Sequence, residues 1–203
     1  MRREPRMLWG PTVEVDAKSV SVKAAKCSER RFIESLVEIY IYEFMSIEPS
    51  CSIQLESRDQ DCYPPFVDLD RYWRNEGFHP LLIRVEERLA GFALINTHSH
   101  RGEKVELNMA EFFIAREHRG RGVATEAVNL ILAQYTGRWE IAVAEHNVAA
   151  KMFWSRTLAA MPNVSRLVRL EGDGKRWRGP IWSFRTAPLE CPIVICEPGP
   201  KLG

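Results

Sequence analysis

The chain has no Cys-x-x-Cys pair, and its five cysteines, Cys27, Cys51, Cys62, Cys191 and Cys196, leave one over if the others bond. That pattern argues against common zinc and redox motifs and suits a reducing compartment better than secretion. No stretch approaches the ~18 apolar residues of a spanning helix, and Met1-Arg2-Arg3-Glu4-Pro5-Arg6 leads into no apolar segment of signal-peptide type. A soluble, cytoplasmic protein without a membrane partner is expected. Neither sign of charge is in excess: the net charge is +1, so no global field draws the chain to nucleic acid, and no basic stripe stands in for one. Two familiar phosphate loops are also missing. A Walker loop needs Gly-Lys then Ser or Thr, whereas Gly122 precedes Val123. A dinucleotide fingerprint needs a third small residue where Thr125 stands, although Glu140 lies at about the expected distance downstream.

What is present is enough apolar sequence, 45% of 203 residues with 27% charged, for one well-packed domain. Its chemistry concentrates in the run Phe112-Phe113-Ile114-Ala115-Arg116-Glu117-His118-Arg119-Gly120-Arg121-Gly122-Val123-Ala124, where an apolar strand passes through a Gly/Arg turn into a helix. Gly120 and Gly122 permit backbone angles and close approaches that a Cβ would block, so successive N–H groups can curl around an anion. The first N–H groups of the helix lack helical partners, and its dipole adds positive potential there. Arg116, Arg119 and Arg121 bring guanidinium groups suited to phosphate oxygens, and a pyrophosphate is the natural occupant. A plain strand-to-helix turn with solvated arginines is the competing reading.

Arg119, Gly122 and Ala124 meet an Arg/Gln-x-x-Gly-x-Gly/Ala signature that resembles the acyl-coenzyme A loop of the GNAT superfamily of N-acetyltransferases. The flanks agree: Met109 to Ile114 looks like that family's fourth strand, and Trp139 to Leu158 like its fifth strand and following helix. Asn147, Ala150, Phe153 and Trp154 repeat the family's Asn-x-x-Ala-x-x-apolar-Tyr spacing, with Trp in place of Tyr. The resemblance spans residues 19 to 186. Leu69-Asp70-Arg71-Tyr72-Trp73, Ala110 to Phe113 and Gly137 to Glu140 also resemble a little-characterised bacterial branch of predicted acetyltransferases. The resemblance implies an α/β (α+β) GNAT-like fold: a central mixed, largely antiparallel twisted sheet of six to seven strands flanked by helices, with the fourth and fifth strands splayed. The expected organisation is a loose leader over 1–17, the domain over 18–186 and an irregular tail over 187–203.

Along the chain, Ser19 to Ala24 alternates as a first strand, and Ser28 is placed to cap a helix with Phe32, Ile33, Leu36, Val37, Tyr40 and Phe44 on one side. Tyr40, Tyr42 and Met45 either pack there or line an acceptor pocket. Residues 46–64 read as a loop and Phe66 to Trp73 as a short helix, where Asp68 and Asp70 serve the dipole or anchor an amine. Leu81 to Val85 and Leu89 to Ile95 read as a hairpin, with Gly91 allowing close backbone approach. His98-Ser99-His100 could chelate a metal, but without a third ligand nearby a solvated loop is expected and no metal is assigned. Simple alternation over Lys104 to Ile114 puts Asn108, Ala110, Phe112 and Ile114 on one face and Leu107, Met109, Glu111 and Phe113 on the other. Glu111 on an apolar face is either a base candidate or the partner of a neighbouring cation. Val123, Ala127, Val128, Ile131 and Tyr135 form the buried stripe of the next helix, and Gly137 ends it. Asn147 can cap the following helix; its family counterpart also lies beside the cofactor arm. Val164 to Leu170 and Pro180 to Arg185 read as two last strands.

The expected activity is transfer of an acetyl group from acetyl-CoA, the co-substrate, to a primary amine by direct attack in a ternary complex. Arg119, Gly120, Arg121, Gly122, Val123 and Ala124 would hold the pyrophosphate, with Asn147, Phe153 and Trp154 beside the cofactor arm. A backbone N–H near Phe113 or Ile114 would polarise the thioester carbonyl, and Glu111, directly or through water, would take the amine proton. Trp154 holds the place of the family's acid Tyr, and its indole N–H gives up a proton far too reluctantly to act as an acid; the thiolate can leave unprotonated, or Tyr135 or water can substitute for the acid. A non-catalytic acyl-CoA-binding sensor on the same fold is the alternative. The acceptor is a small molecule or a protein amine, and a homodimer is compatible with this reading.

Overall fold

The computed structural model describes residues 19–47 and 69–188. The expected leader, most of the tail, the loop from Glu48 onward, Asp68 and every cysteine but Cys27 lie outside the described residues.

Seven strands form one sheet in the order β1-β2-β3-β4-β5-β7-β6. They are β1 (Val20–Ala24), β2 (His79–Val85), β3 (Arg88–Asn96), β4 (Leu107–Ile114), β5 (Gly137–Ala142), β6 (Val164–Glu171) and β7 (Pro180–Thr186). All neighbours are antiparallel except β4 and β5. That parallel pair is joined by the helix α3 (Val123–Gln134), as the long crossover between parallel strands requires. The other helices are α1 (Arg30–Met45), the single turn α2 (Arg71–Arg74) and α4 (Val148–Ala160). Among the described residues no helix is long and apolar enough to cross a membrane.

The core lies on both faces of the sheet. Ile33, Leu36 and Val37 of α1 meet Leu82, Phe92, Leu94 and Phe113 on one face. Val128, Ile131 and Leu132 of α3, with Trp154 and Leu158 of α4, meet Ala93, Ile95, Met109, Trp139, Ile141 and Trp182 on the other. The start of α1 departs from expectation. A 3-10 turn over Cys27–Glu29 precedes it, and the Glu29 carboxylate accepts from the Lys26 N–H at 3.0 Å, so Ser28 is not the cap.

β4 departs from simple alternation. Leu94 pairs with Glu111 while Ile95 pairs with Met109, so Ala110 is an extra residue in β4. Such a bulge reverses which side each later residue faces. Leu107 and Met109 therefore share the α3 face with Phe112, whereas Glu111 and Phe113 lie on the α1 face with Asn108. The reason is visible in the burial: without the bulge Glu111 would enter the hydrocarbon between β4 and α3.

β4 and β5 pair at only two rungs, Leu107–Trp139 and Asn108–Glu140, and then separate. The β4 edge from the bulge onward thus faces a gap rather than a strand.

Candidate active site

The gap is flanked by β4 and β5, closes at the Asn108–Glu140 rung, and opens toward the turn that starts α3. Ala115 N–H bonds Ala90 O at 2.8 Å on the β3 side. In an antiparallel pair, bonding direction alternates along the strand. Phe113 therefore also turns its backbone groups to β3, and the N–H groups of Phe112 and Ile114 face the gap. Of the two expected polarising donors, Ile114 has the right direction and Phe113 does not.

At the open end, Gly120 and Gly122 sit at φ of 73° and 76°, a region that L side chains rarely adopt, and Gly122 is the N-cap of α3. A Cβ at either position would meet nothing within 4 Å, so the turn borders open space. The first helical bond runs from Glu126 N–H to Gly122 O at 3.0 Å. Val123, Ala124 and Thr125 therefore have N–H groups ahead of the ladder, at the positive end of the helix dipole. Arg116 and Arg121 are exposed beside the turn. Space, unpaired donors and positive potential together fit a diphosphate.

Arg119 is committed differently from expectation. Its Nε donates to Ile114 O at 2.7 Å, its Nη2 reaches Glu43 Oε2 at 2.7 Å, and its guanidinium lies 5.3 Å from the Phe113 ring centroid. The side chain ties the turn to β4 and α1, which leaves its main chain as the part able to meet phosphate.

Glu111 is surrounded by protein on nearly every side, yet part of it still meets solvent. Burial raises its pKa to about 7, against the opposing effect of the Tyr40 hydroxyl, which donates to the carboxylate. No cation pairs with it among the described residues, so they give no support to the salt-bridge reading of this residue. Tyr40 packs against Phe92 and Phe113, with ring centroids at 5.9 and 5.7 Å, whereas Tyr42 is 81% exposed. Asp70 bridges Arg30 and Arg74, which lowers its pKa chiefly through the Arg30 bond. It is a surface ion-pair centre and not an amine anchor.

Across the sheet from Glu111, Phe112 stacks on Phe153 at 5.9 Å and meets Trp154 edge-on at 5.4 Å. Trp154 is 5% exposed, a core residue. Asn147 caps α4, its Oδ1 accepting from Ala150 N–H at 3.0 Å. Tyr135 ends α3 at the opposite end from the turn and packs on His79 of β2 at 4.9 Å. That places its ring away from the gap, and it is no substitute acid.

A polar row at the closed end of the gap escaped the sequence reading. Asn96, Asn108 and Glu140 are successive cross-strand partners on the α1 face. Asn108 Nδ2 donates to Asn96 Oδ1 at 2.9 Å, and Asn96 Nδ2 to the Tyr72 hydroxyl at 3.0 Å. Asn108 is 1% exposed, and its Oδ1 has no donor among the described residues. Over the row lies His98-Ser99-His100, which is not a free solvated loop. The buried Glu140 carboxylate accepts from Ser99 Oγ at 2.8 Å and from His100 N–H at 2.6 Å, with His100 Nδ1 at 3.3 Å. Burial alone would raise the Glu140 pKa, but these bonds prevail and hold it below the usual value. Among the described residues no group of three or more His, Cys, Asp or Glu could hold a metal.

A mixed sheet with one forked parallel pair, a glycine turn at a helix N-terminus on the fork's rim and a largely buried carboxylate beside it make up the candidate site. The sequence pattern of the acetyltransferase (GNAT) family matches residues 41–159, more than half of the chain. The chain belongs to that family, whose members transfer acetyl groups from acetyl-CoA. No curated protein matches it in sequence. Among solved structures, it is similar to a GNAT-family acetyltransferase from Streptococcus agalactiae (TM-score 0.59, 16% identity, covering 84% of this chain and 96% of that one). It is also similar to a GNAT-family acetyltransferase from Staphylococcus aureus (TM-score 0.53, 11% identity, 82% and 99% covered). A third likeness is to the PaiA N-acetyltransferase of Thermoplasma acidophilum in complex with coenzyme A (TM-score 0.52, 11% identity, 83% and 99% covered). At these identities the likeness concerns the fold.

Proposed function

We propose that this protein acetylates a primary amine, with acetyl-CoA as co-substrate and Glu111 as the base. The observation that carries the reading is the unpaired β4 edge, which runs from the glycine turn to a largely buried carboxylate whose pKa burial raises to about 7. The main chain of Gly120 to Ala124 binds the diphosphate, assisted by Arg116 and Arg121, while Arg119 fixes the turn against α1. The bound co-substrate supplies a carbonyl carbon activated by a thiol leaving group. Ile114 N–H points into the gap toward that carbonyl's oxygen, and a fixed donor at a developing oxyanion is usually the largest catalytic contribution. Phe112, Phe153 and Trp154 exclude water on the α3 face. Asn147 stays with its helix cap.

An alkylamine has a reference pKa near ~10.4, so at neutral pH it arrives as ammonium and must lose a proton before attack. Glu111, titrating near neutrality, takes that proton, and Tyr40 holds the carboxylate in place. The acceptor approaches from the α1 face, where Glu111 points. Two measurements test the reading: calorimetry with coenzyme A, and thiol release from acetyl-CoA with a panel of a polyamine, a lysine peptide and small alkylamines. Binding with amine-dependent release is expected. Binding without release on any amine would favour the non-catalytic acyl-CoA module, and absence of binding would remove both readings.

A further inference from the structure

We infer that Glu43 of α1 is a positioning residue for the transfer: through the Arg119 side chain it holds the carbonyl-polarising residue Ile114 and the base Glu111 in one fixed arrangement. This rests on the acetyl-transfer reading and adds to it the residue that keeps its two working groups together.

Both working groups sit on β4, and each is held from outside that strand. Arg119 Nε donates to Ile114 O at 2.7 Å, which fixes the residue whose N–H faces the gap. Glu111 is held by the Tyr40 hydroxyl, which comes from α1. Arg119 joins the two. Its Nη2 donates to Glu43 Oε2 at 2.7 Å, and Glu43 lies three residues after Tyr40, on the same side of α1. The circuit closes through the rings: the Arg119 guanidinium lies 5.3 Å from the Phe113 centroid, and the Tyr40 ring packs on Phe113 at 5.7 Å. One guanidinium thus meets a β4 carbonyl, a β4 ring and α1 together, a use of the planar fork that a lysine would not reproduce.

The helix needs such a tie where Tyr40 stands. The buried residues of α1 are Ile33, Leu36 and Val37, all in its first half, whereas Ile39 and Tyr42 are exposed. The half that carries Tyr40 therefore rests on partly buried contacts, and a small swing of its end would draw the hydroxyl away from Glu111. Glu43, one turn further on, resists that swing. Folding alone is a poor reason for the pair: its side chains are 43% and 32% exposed, and ion pairs this open to water add little to stability. Geometry is the better reason, since a misplacement of about 1 Å in a site is costly to catalysis. Tyr72 of α2 also lies close enough to sense the Glu111 charge, but it is anchored on Asn96 and not on α1, so loosening α1 leaves it in place.

The test is the side-chain carboxyl carbon resonance of Glu111, followed against pH by NMR in the full chain, with calorimetry of coenzyme A beside it. The Tyr40 hydroxyl favours the ionised carboxylate, so withdrawing it raises the titration midpoint. Tyr40→Phe is expected to raise that midpoint by roughly half a pH unit or more. Glu43→Ala is expected to move it the same way, with little change in Tm and with coenzyme A affinity within about threefold of wild type. Glu38→Ala, at an exposed site on the same helix, is expected to leave the midpoint where it was. A Glu43→Ala midpoint that stays at the wild-type value or falls overturns the positioning role while the acetyl-transfer reading stands, and so does a Tyr40→Phe midpoint that does not move. If the wild-type protein does not bind coenzyme A, the acetyl-transfer reading falls and takes this inference with it.

Discussion

Replacing Glu111 by Gln should make the protein more stable and less active, and both effects should depend on pH in a calculable way. Below pH 4.5, the ordinary value for this carboxyl, folded and unfolded states both carry the proton and Glu111 contributes nothing to the pH dependence. Above it the unfolded chain ionises, while the folded carboxyl keeps its proton until about pH 7. Each pH unit in that window therefore removes ~1.4 kcal/mol of stability, and the loss levels off above pH 7 at about 3 kcal/mol. Glutamine is nearly isosteric, can still accept from the Tyr40 hydroxyl and cannot ionise, so it escapes that loss. Thermal unfolding followed by circular dichroism should show the variant gaining on wild type from pH 4.5 upward. The gain should reach roughly 6–12 °C by pH 8, at ~2–4 °C per kcal/mol for a domain of this size. Any fixed offset from the new amide leaves the slope untouched. In parallel, wild-type kcat/KM should rise toward a plateau above neutrality, and the variant should lose that limb and about 10²–10⁴-fold in rate. A difference in Tm that stays flat between pH 4.5 and 8 would refute the claim that this carboxylate is held raised beside the gap.

Four other substitutions separate folding from function. Gly122→Ala and Gly174→Ala both force a left-handed residue with open space around it, so each should cost about 1–2 kcal/mol in denaturant melts. Only the first should weaken coenzyme A in calorimetry, by tenfold or more, which is about 1.4 kcal/mol. Gly91→Ala would place a Cβ 2.1 Å from Phe113 O, so the β3–β4 pair that carries Glu111 must shift. A loss above ~3 kcal/mol, among the large values seen for single substitutions, is expected in chemical unfolding. Trp154→Phe removes volume from a core site but no transferable proton. It should cost about 1–3 kcal/mol and leave kcat within about threefold, as a volume change without chemical consequence should.

How much of this could be read from the chain depended on how local the cause was. The strand, glycine turn and helix from Phe112 to Gln134 are consecutive, and so are Asn147 and the helix that it caps. Those features follow from backbone chemistry within a few residues. The Gly91 approach was legible because a glycine inside a strand has few other uses. The bulge at Ala110 was not: it arises where β4 must satisfy α1 on one face and α3 on the other, and alternation alone cannot see a partner strand. It moved Glu111 to the acceptor side without changing any residue. The Arg119 side chain pairs with Glu43, far away in sequence, so its diversion from the loop depends on how α1 packs. Likewise Asn96, Asn108, Glu140 and His100 are ordinary polar residues in separate segments, and only the cross-strand register brings them onto one rung.

A structure of the protein with bound coenzyme A bears most directly on the central claim, that the unpaired edge of β4 receives the pantetheine arm between the glycine turn and Glu111. The diphosphate should lie on the main-chain N–H groups of Gly120 to Ala124, and the sulfur should lie in the gap between β4 and β5. Coenzyme A bound anywhere else, with the gap empty, would contradict the account.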